Sequence, residues 1–469
     1  MQQAGKWEPG MATYPSDEIR DDYFPKGDYL DREFHELEKK HLWPKVWQTA
    51  CRPEDIPEAG DYIVYDICDD SVIVTRGSDG QIRAFHNFCT HRGTQLVQGK
   101  GNARQFVCPF HGWRFGNDGR NIKVIDRKDW GDCLKQEDVD LVPVQVGEWG
   151  GFVWINMDPG CQPLDAFLEP MKAMCDLFEF EKLRPAWYKS AVVDANWKTT
   201  LGAFTEFYHV QTTHSQMLTY TQDYSISRAM GRHGWISYTG SSGLPVGRSP
   251  RLPPKEQSDF REYLFEYAEQ FKDYLQAMQT ERAYNATQRL RTEVSADAAP
   301  EEVLGKWAQF IYEAAIESGA GWPENLTPEY VAASGFDWHV FPNTVFLHPA
   351  IEAVLWYRIV PYGDDHTKSI MDVWSLERFA PGTEPKVERE FYENWRDGDY
   401  PLIFAQDFEN IPKVQRGMKS SAFKAGRPSP VQERAVSHFH RTLRRFIEDP
   451  HADDALAPEP LVELPAETV

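Results

Sequence analysis

Missing from this chain is any apolar run near the roughly 20 residues that a membrane-spanning helix needs. The longest candidate, GFVWINM at 151–157, has the length of a strand. Cationic excess is missing too: 50 Lys and Arg face 72 Asp and Glu, a net charge of -22. Such a balance argues against a nucleic-acid partner, whose phosphates demand Lys and Arg, and against an anionic membrane surface. Cysteine is scarce, seven in 469 residues. That odd, dispersed set suits a reducing compartment with a few thiols on metal, not a disulfide framework. The opening residues, MQQAGKWEPGMATYPSDEIRDD, lack the basic, apolar and small-residue order of a secretory signal. A cytoplasmic location is therefore expected, and no internal repeat is visible.

What is present is the composition of a globular protein, 41% hydrophobic, 26% charged and 13% aromatic, with length for two or three domains. In residues 31–49, Phe34, Leu37, His41 and Leu42 fall at helical spacing, so a helix should form before Pro44 stops it. Between 60 and 160 the texture changes to short apolar runs broken by turns: DYIVYDI, SVIVTR, IRAFHNF and FVWINM. That pattern predicts a small antiparallel β domain. Helical stretches are predicted at 166–180, 197–218, 256–318 and 430–447, and strands return at 336–378. The Pro-, Ala- and Glu-rich end, DALAPEPLVELPAETV, reads as a flexible tail.

Within the β region, Cys89-x-His91 is followed, sixteen residues later, by Cys108-x-x-His111. Two thiolates and two imidazoles suit a tetrahedral zinc, or a [2Fe–2S] cluster with the cysteines on one iron and the histidines on the other. Each pair is followed by a glycine, Gly93 or Gly112, which lets the loop turn tightly and offer backbone N–H groups toward sulfur. Both pairs also sit at the ends of predicted strands. These features favour the cluster, and Cys51, Cys68, Cys133, Cys161 and Cys175 read as small buried or half-buried hydrophobes.

A second constellation, FTEFYHVQTTH at 204–214, is ambiguous by itself. On a regular helix His209 and His214 would lie about 140° apart, so joint metal binding requires the helix to be distorted near Thr212. Two histidines and one carboxylate would leave open positions on an iron(II) ion. Glu206 is itself a candidate carboxylate, and otherwise the third ligand must come from elsewhere in the chain.

The segment CTHRGTQLVQGKGNARQFVCPFHGWRF resembles the Rieske box of the non-heme iron ring-hydroxylating oxygenases, large (alpha) subunit. NWKTTLGAFTEFYHVQTTH is similar to the iron-binding signature of the same family, and FAQDFENIPKVQRGMKS to its C-terminal carboxylate segment. The resemblance implies Cys89, His91, Cys108 and His111 on a [2Fe–2S] cluster, and His209, His214 and Asp407 on a mononuclear Fe(II), with Asp223, Glu409 and Asp337 as weaker rivals to Asp407. It makes Glu206, usually Asp in the family, an electron bridge from His91 or His111 of a neighbouring subunit to His209. Gly202 stands where several dihydroxylating relatives place Asn. The implied fold is α+β: an N-terminal helical arm (1–45), a Rieske β domain (46–163), a helix-grip-like catalytic domain with an antiparallel sheet around a long helix (164–455, with a helical insertion at 256–318), and a tail (456–469).

The implied reaction is reductive O2 activation with hydroxylation or dihydroxylation of an aromatic or other hydrophobic substrate. The alternative is oxidative demethylation or C–N cleavage of a methoxy or quaternary amine compound; a non-catalytic electron carrier is a remote one. No Gly-rich dinucleotide fingerprint is present, so NAD(P)H electrons should arrive through a ferredoxin or reductase. Between Arg83 and Lys128 nine Lys or Arg stand against two Asp, a local +7 that is either a solvated face or a docking patch for such a donor. An inter-subunit bridge implies a homotrimer, or an α3β3 assembly with a beta subunit. Phe204, Phe207, Met217, Leu218, Tyr220, Phe336, Trp338, Phe341, Phe346 and Trp356 are candidates for an apolar pocket, or for core. The insertion would cap the pocket or build the trimer.

Overall fold

The computed structural model describes residues 24–238, 245–253 and 259–449. Most of the expected arm and the whole of the expected tail lie outside them. Two compact units are present, one formed by His35–Phe167 and a short C-terminal piece, the other by the remaining N-terminal residues and Leu168–Arg445.

The smaller unit is built on a seven-stranded sheet. Its order is Gln48–Cys51, Phe152–Asn156, Pro143–Trp149, Ile82–His86, Asp70–Arg76, Asp61–Ile67 and Lys100–Asn102. Every neighbouring pair is antiparallel, and the four apolar runs read from the sequence all lie in it. A three-stranded sheet, Gln105–Val107, Arg114–Gly116 and Asn121–Lys123, completes the unit. Its core packs Ile73, Phe85, Phe106, Trp113 and Phe115 with Cys89 and Cys108.

The larger unit holds an eight-stranded sheet in the order Ser225–Met230, His233–Tyr238, Asp337–Val340, Thr344–Ala350, Ala353–Tyr362, Asp365–Glu377, Arg184–Val193 and Glu390–Tyr392. Only the last pair is parallel, so the α+β architecture agrees with expectation. Arg184–Val193 was not foreseen: RPAWYKSAVV mixes Pro, Arg and Lys with apolar residues, and its Lys189 and Ser190 are buried. Ser190 is held by Asp372, which also takes Arg358 at 2.7 Å and Arg389 at 2.9 Å.

Several predicted helices are shorter. Arg32–His41 forms, but it buries His35 and Glu38 while Leu37 is 43% exposed. The stretch at 166–180 breaks into Leu164–Leu168 and Met171–Cys175, with Pro170 between them. The first helix of the insertion ends at Gln270 and passes into a π-helical turn, Phe271–Leu275, after which Gln276 and Met278 take positive φ. The exposed carbonyl of Gln276 accepts the Trp187 indole N–H at 2.7 Å, so lost helix bonds are partly replaced across the fold. Among the described residues no helix is long and apolar enough to cross a membrane.

Candidate functional site

In the smaller unit both ligand pairs lie on turns that leave strands, Cys89 and His91 after Ile82–His86 and Cys108 to His111 between Gln105–Val107 and Arg114–Gly116. Gly93 and Gly112 adopt φ of 80° and 71° and donate backbone N–H bonds to the carbonyls of Cys89 and Cys108, at 2.9 and 3.0 Å. The space beside each would admit a Cβ; positive φ is what selects glycine. The turns offer backbone N–H groups toward sulfur. His91 and Arg92 direct theirs to Cys89, and Phe110 and His111 to Cys108. Burial pushes the Cys89 thiol up to about 11. For Cys108 burial acts in the same direction, yet its N–H donors prevail and hold the thiol below its usual value.

The two imidazoles converge, with Nδ1 of His91 and Nδ1 of His111 3.1 Å apart, and His91 stacks on Trp113 at 4.8 Å. Two sulfurs in mutual contact beside two converging ring nitrogens are a donor set that fits a Cys2His2 two-iron cluster. Of the other cysteines, Cys51 and Cys175 are buried and Cys68 and Cys161 half-buried, but Cys133 is exposed, against expectation.

In the larger unit the expected helix over 197–218 is interrupted. Asn196 caps Trp197–Gly202, its Oδ1 accepting the Lys198 N–H at 3.0 Å. The chain then runs irregularly to His209, forms one helical turn, Val210–Thr213, and breaks at His214 (φ -118°, ψ 43°). The distortion therefore flanks the Thr212–Thr213 pair on both sides, and it turns both imidazoles to a common point. Helix Leu402–Met418 brings Asp407 there, on a buried face with Phe404, Phe408 and Ile411. Donor atoms of His209, His214 and Asp407 lie within 4.8 Å of one another. Asp407 Oδ1 is 3.6 Å from His209 Nε2 and 3.0 Å from His214 Nε2.

What fixes the rings is the opposite edge of each. Glu206 Oε1 is 2.6 Å from His209 Nδ1, and Oε2 accepts the His209 backbone N–H at 3.0 Å. Gln406 Oε1 is 2.8 Å from His214 Nδ1 and also accepts from Gln216 at 2.9 Å. Both histidines can therefore carry Nδ1–H and present a bare Nε2, the tautomer a metal requires. Burial opposes a charged His209, but Glu206 and Asp407 outweigh it and raise its pKa to about 9. The place between Nε2 and Asp407 thus favours a cation, as an iron(II) site of two His and one carboxylate must.

This triad walls a cavity of about 80 Å³. Phe204, Phe207, Met217, Tyr220 and Phe336 line it as foreseen; Leu218, Trp338, Phe341, Phe346 and Trp356 do not, and are buried as core. Unforeseen are Tyr238, Tyr357 and Phe404, which the sequence scatters over three elements. The insertion contributes Gln270, Phe271, Leu275 and Met278 to the lining. On another side a groove of about 650 Å³ also reaches Glu206, His209 and Asp407. It is lined by Lys198, Gly202, Lys413 and Glu433 among others, and burial chiefly raises the Glu433 carboxyl to about 7.

The rival carboxylates have other surroundings. Asp223 is bound by Arg251 and Ser249, Glu409 is exposed between Arg396 and Lys413, and Asp337 lies in the cavity wall outside the triad. Gln406 was missed, and its only signal was adjacency to Asp407.

Residues 180–449 match the family model for the ring hydroxylating alpha subunit (catalytic domain), and residues 46–133 the Rieske [2Fe-2S] domain. The chain is 33% identical over 238 residues to the carnitine monooxygenase oxygenase subunit of Escherichia coli K12, a match covering 49% of this chain and 59% of that one. It is 31% identical over 195 residues to the glycine betaine monooxygenase oxygenase subunit of Pseudomonas aeruginosa PAO1, covering 41% and 45%. The chain thus spans about half the length of these relatives. The solved structure of the quaternary ammonium Rieske monooxygenase CntA with L-carnitine superposes with a TM-score of 0.59 at 19% identity, over 93% of this chain and 99% of that one. Naphthalene 1,2-dioxygenase from Rhodococcus sp. bound to indole gives 0.59 at 21%, over 92% and 96%, and both likenesses concern the fold. With more than half of its length matched by the catalytic-domain model, the chain belongs to the ring-hydroxylating alpha-subunit family, whose cofactors are a Rieske [2Fe–2S] cluster and a mononuclear iron.

Proposed function

We propose that the chain is the terminal oxygenase component of a multicomponent oxygenase, hydroxylating a small organic substrate held in the cavity beside His209, His214 and Asp407. The observation that carries this reading is the convergence of those three donors on an apolar cavity wall. Cys89, His91, Cys108 and His111 would hold the cluster, and His209, His214 and Asp407 the iron. When bound, the two centres supply single electrons and reductive activation of O2. The protein's own part is to position and to exclude water: Glu206 and Gln406 hold the two imidazoles by Nδ1, and the aromatic walls keep the substrate dry.

Glu206 would serve as the bridge between subunits. Its support is position: it binds His209 Nδ1 directly and borders a groove separate from the substrate cavity. A neighbouring copy's cluster histidine docked in that groove would share the carboxylate, which requires a homotrimer or an α3β3 assembly. Electrons would come from an acidic ferredoxin or an NAD(P)H-dependent reductase. In support, Arg92, Arg114 and Lys123 are exposed near the cluster loops, together with Phe110 and Ile122 at 59% each. A reducing, cytoplasmic setting suits the free thiols.

A second reading of the substrate, a quaternary or tertiary amine, is favoured by the names of the relatives and by the aromatic lining. For an N-methyl group the balance would be one O2, two electrons and two protons in, with one oxygen atom inserted into C–H and the other leaving as water. The resulting carbinol would release formaldehyde, with a proton as well where the substrate nitrogen is quaternary, leaving the demethylated amine. The test is oxygen uptake by the reconstituted protein with a surrogate reductase, across aromatic, steroid-like and quaternary-amine compounds. Substrate-dependent uptake with an oxygenated product supports the proposal; cluster reduction without uptake on any of them opposes it.

A further inference from the structure

Among the cavity-lining groups one is unexplained by the metal site. Asp337 opens the strand Asp337–Val340, its side chain is 1% exposed, and its Oδ1 has no hydrogen-bond partner among the described residues. The other two acids of the wall are engaged, Glu206 by His209 and Asp407 by the paired histidines. Among the described lining residues there is no Lys or Arg. Buried carboxylates are costly unless they meet a cation or donors, and Tyr238, Phe336 and Tyr357 share the cavity lining with Asp337. Burial accordingly raises the Asp337 carboxyl well above its ordinary value.

We infer that Asp337 is the counter-ion that selects the substrate, pairing with the nitrogen of a small alkylammonium cation while aromatic rings face its methyl groups. The same wall disfavours zwitterions at this subsite, because a substrate carboxylate placed beside Asp337 would meet an acid and, among the described lining residues, no Lys or Arg; the cation of the wall is the iron that His209, His214 and Asp407 would hold. This inference rests on the amine reading of the substrate and concerns recognition, not oxygen chemistry. It separates this chain from relatives named for carnitine and glycine betaine.

The test uses the iron-loaded holoprotein and three probes in calorimetric titration: choline, its neutral carbon isostere 3,3-dimethylbutan-1-ol, and glycine betaine. The parent should bind choline at least tenfold tighter than either of the others. Asp337→Asn should erase the preference over the neutral isostere while binding that isostere as the parent does, and Asp337→Glu should restore part of it. Equal binding of choline and its isostere by the parent, no binding of choline, betaine bound as tightly as choline, or an Asn variant that keeps the preference would each overturn the inference. Iron content and reductase-driven oxygen uptake are read in parallel, so a failure of the oxygenase reading is seen separately.

Discussion

Glu206 grips His209 twice, with Oε1 2.6 Å from the ring Nδ1 and Oε2 accepting the backbone N–H at 3.0 Å. One carboxylate therefore sets both where the imidazole sits and which nitrogen faces Asp407. Glu206→Gln keeps an acceptor but loses the charge that steadies His209 and that, in the proposed bridge, would link it to a second imidazole. Its cluster should reduce as in the parent, while cluster reoxidation in the presence of O2 and substrate slows by about 10- to 100-fold. Stopped-flow absorbance of the cluster measures this, and a rate equal to the parent's removes Glu206 from the electron route.

Gln406 does for His214 what Glu206 does for His209, at 2.8 Å. Gln406→Leu leaves Nδ1–H of a buried imidazole without an acceptor. Affinity for the mononuclear iron should fall by about 10- to 100-fold with the cluster untouched. Iron analysis after competition with a chelator shows the difference.

The cluster loops and the His209–His214 segment were legible in sequence because their chemistry sits in short contiguous motifs. Their geometry was less so. A five-residue spacing means little until the backbone breaks at His214, and both ends of the segment are tied to the Asp407 helix by contacts distant in sequence: Gln406 holds His214 at 2.8 Å, and Gln415 accepts from Asn196 and Thr199 at 2.9 and 3.1 Å. Arg184–Val193 escaped the pattern because its Lys189 and Ser190 are buried by partners far along the chain, Asp399 and Asp372. The pocket was half read: residues beside the iron motif were found, whereas Tyr238, Tyr357 and Phe404 meet only through the sheet and the long helix. Asp337 was weighed as a metal ligand, and only folding shows it alone in the cavity wall.

Around the cluster, Arg114 and Lys123 are exposed on paired strands beside Ile122. Arg114→Glu with Lys123→Glu should raise the KM for an acidic electron donor by about tenfold or more and flatten its dependence on salt, leaving the kcat at saturating donor little changed. Steady-state kinetics over a range of ionic strength reads all three, and an unaltered KM places the donor elsewhere.

Asp372 ties three strands together through Arg358, Arg389, Tyr188 and Ser190. Burial alone would raise its carboxyl, but the two guanidiniums prevail and hold it at about 2, below the ordinary 3.8. A depressed folded-state value means stability present above pH 3.8 and lost as pH falls through about 2. Asp372→Asn should therefore cost about 3–5 kcal/mol near neutrality, as expected when one member of a buried pair is removed, and should shrink the difference from the parent as the pH is lowered. Urea denaturation across pH checks both.

The account depends most on His209, His214 and Asp407 holding a third iron beside a two-iron cluster. Iron per chain, measured with the electron paramagnetic resonance of the reduced protein, tests this for the parent and for Asp407→Ala. The predicted result is about three irons in the parent and about two in the variant, with the same Rieske signal in both. A parent with two, or a variant that keeps the third, would contradict it.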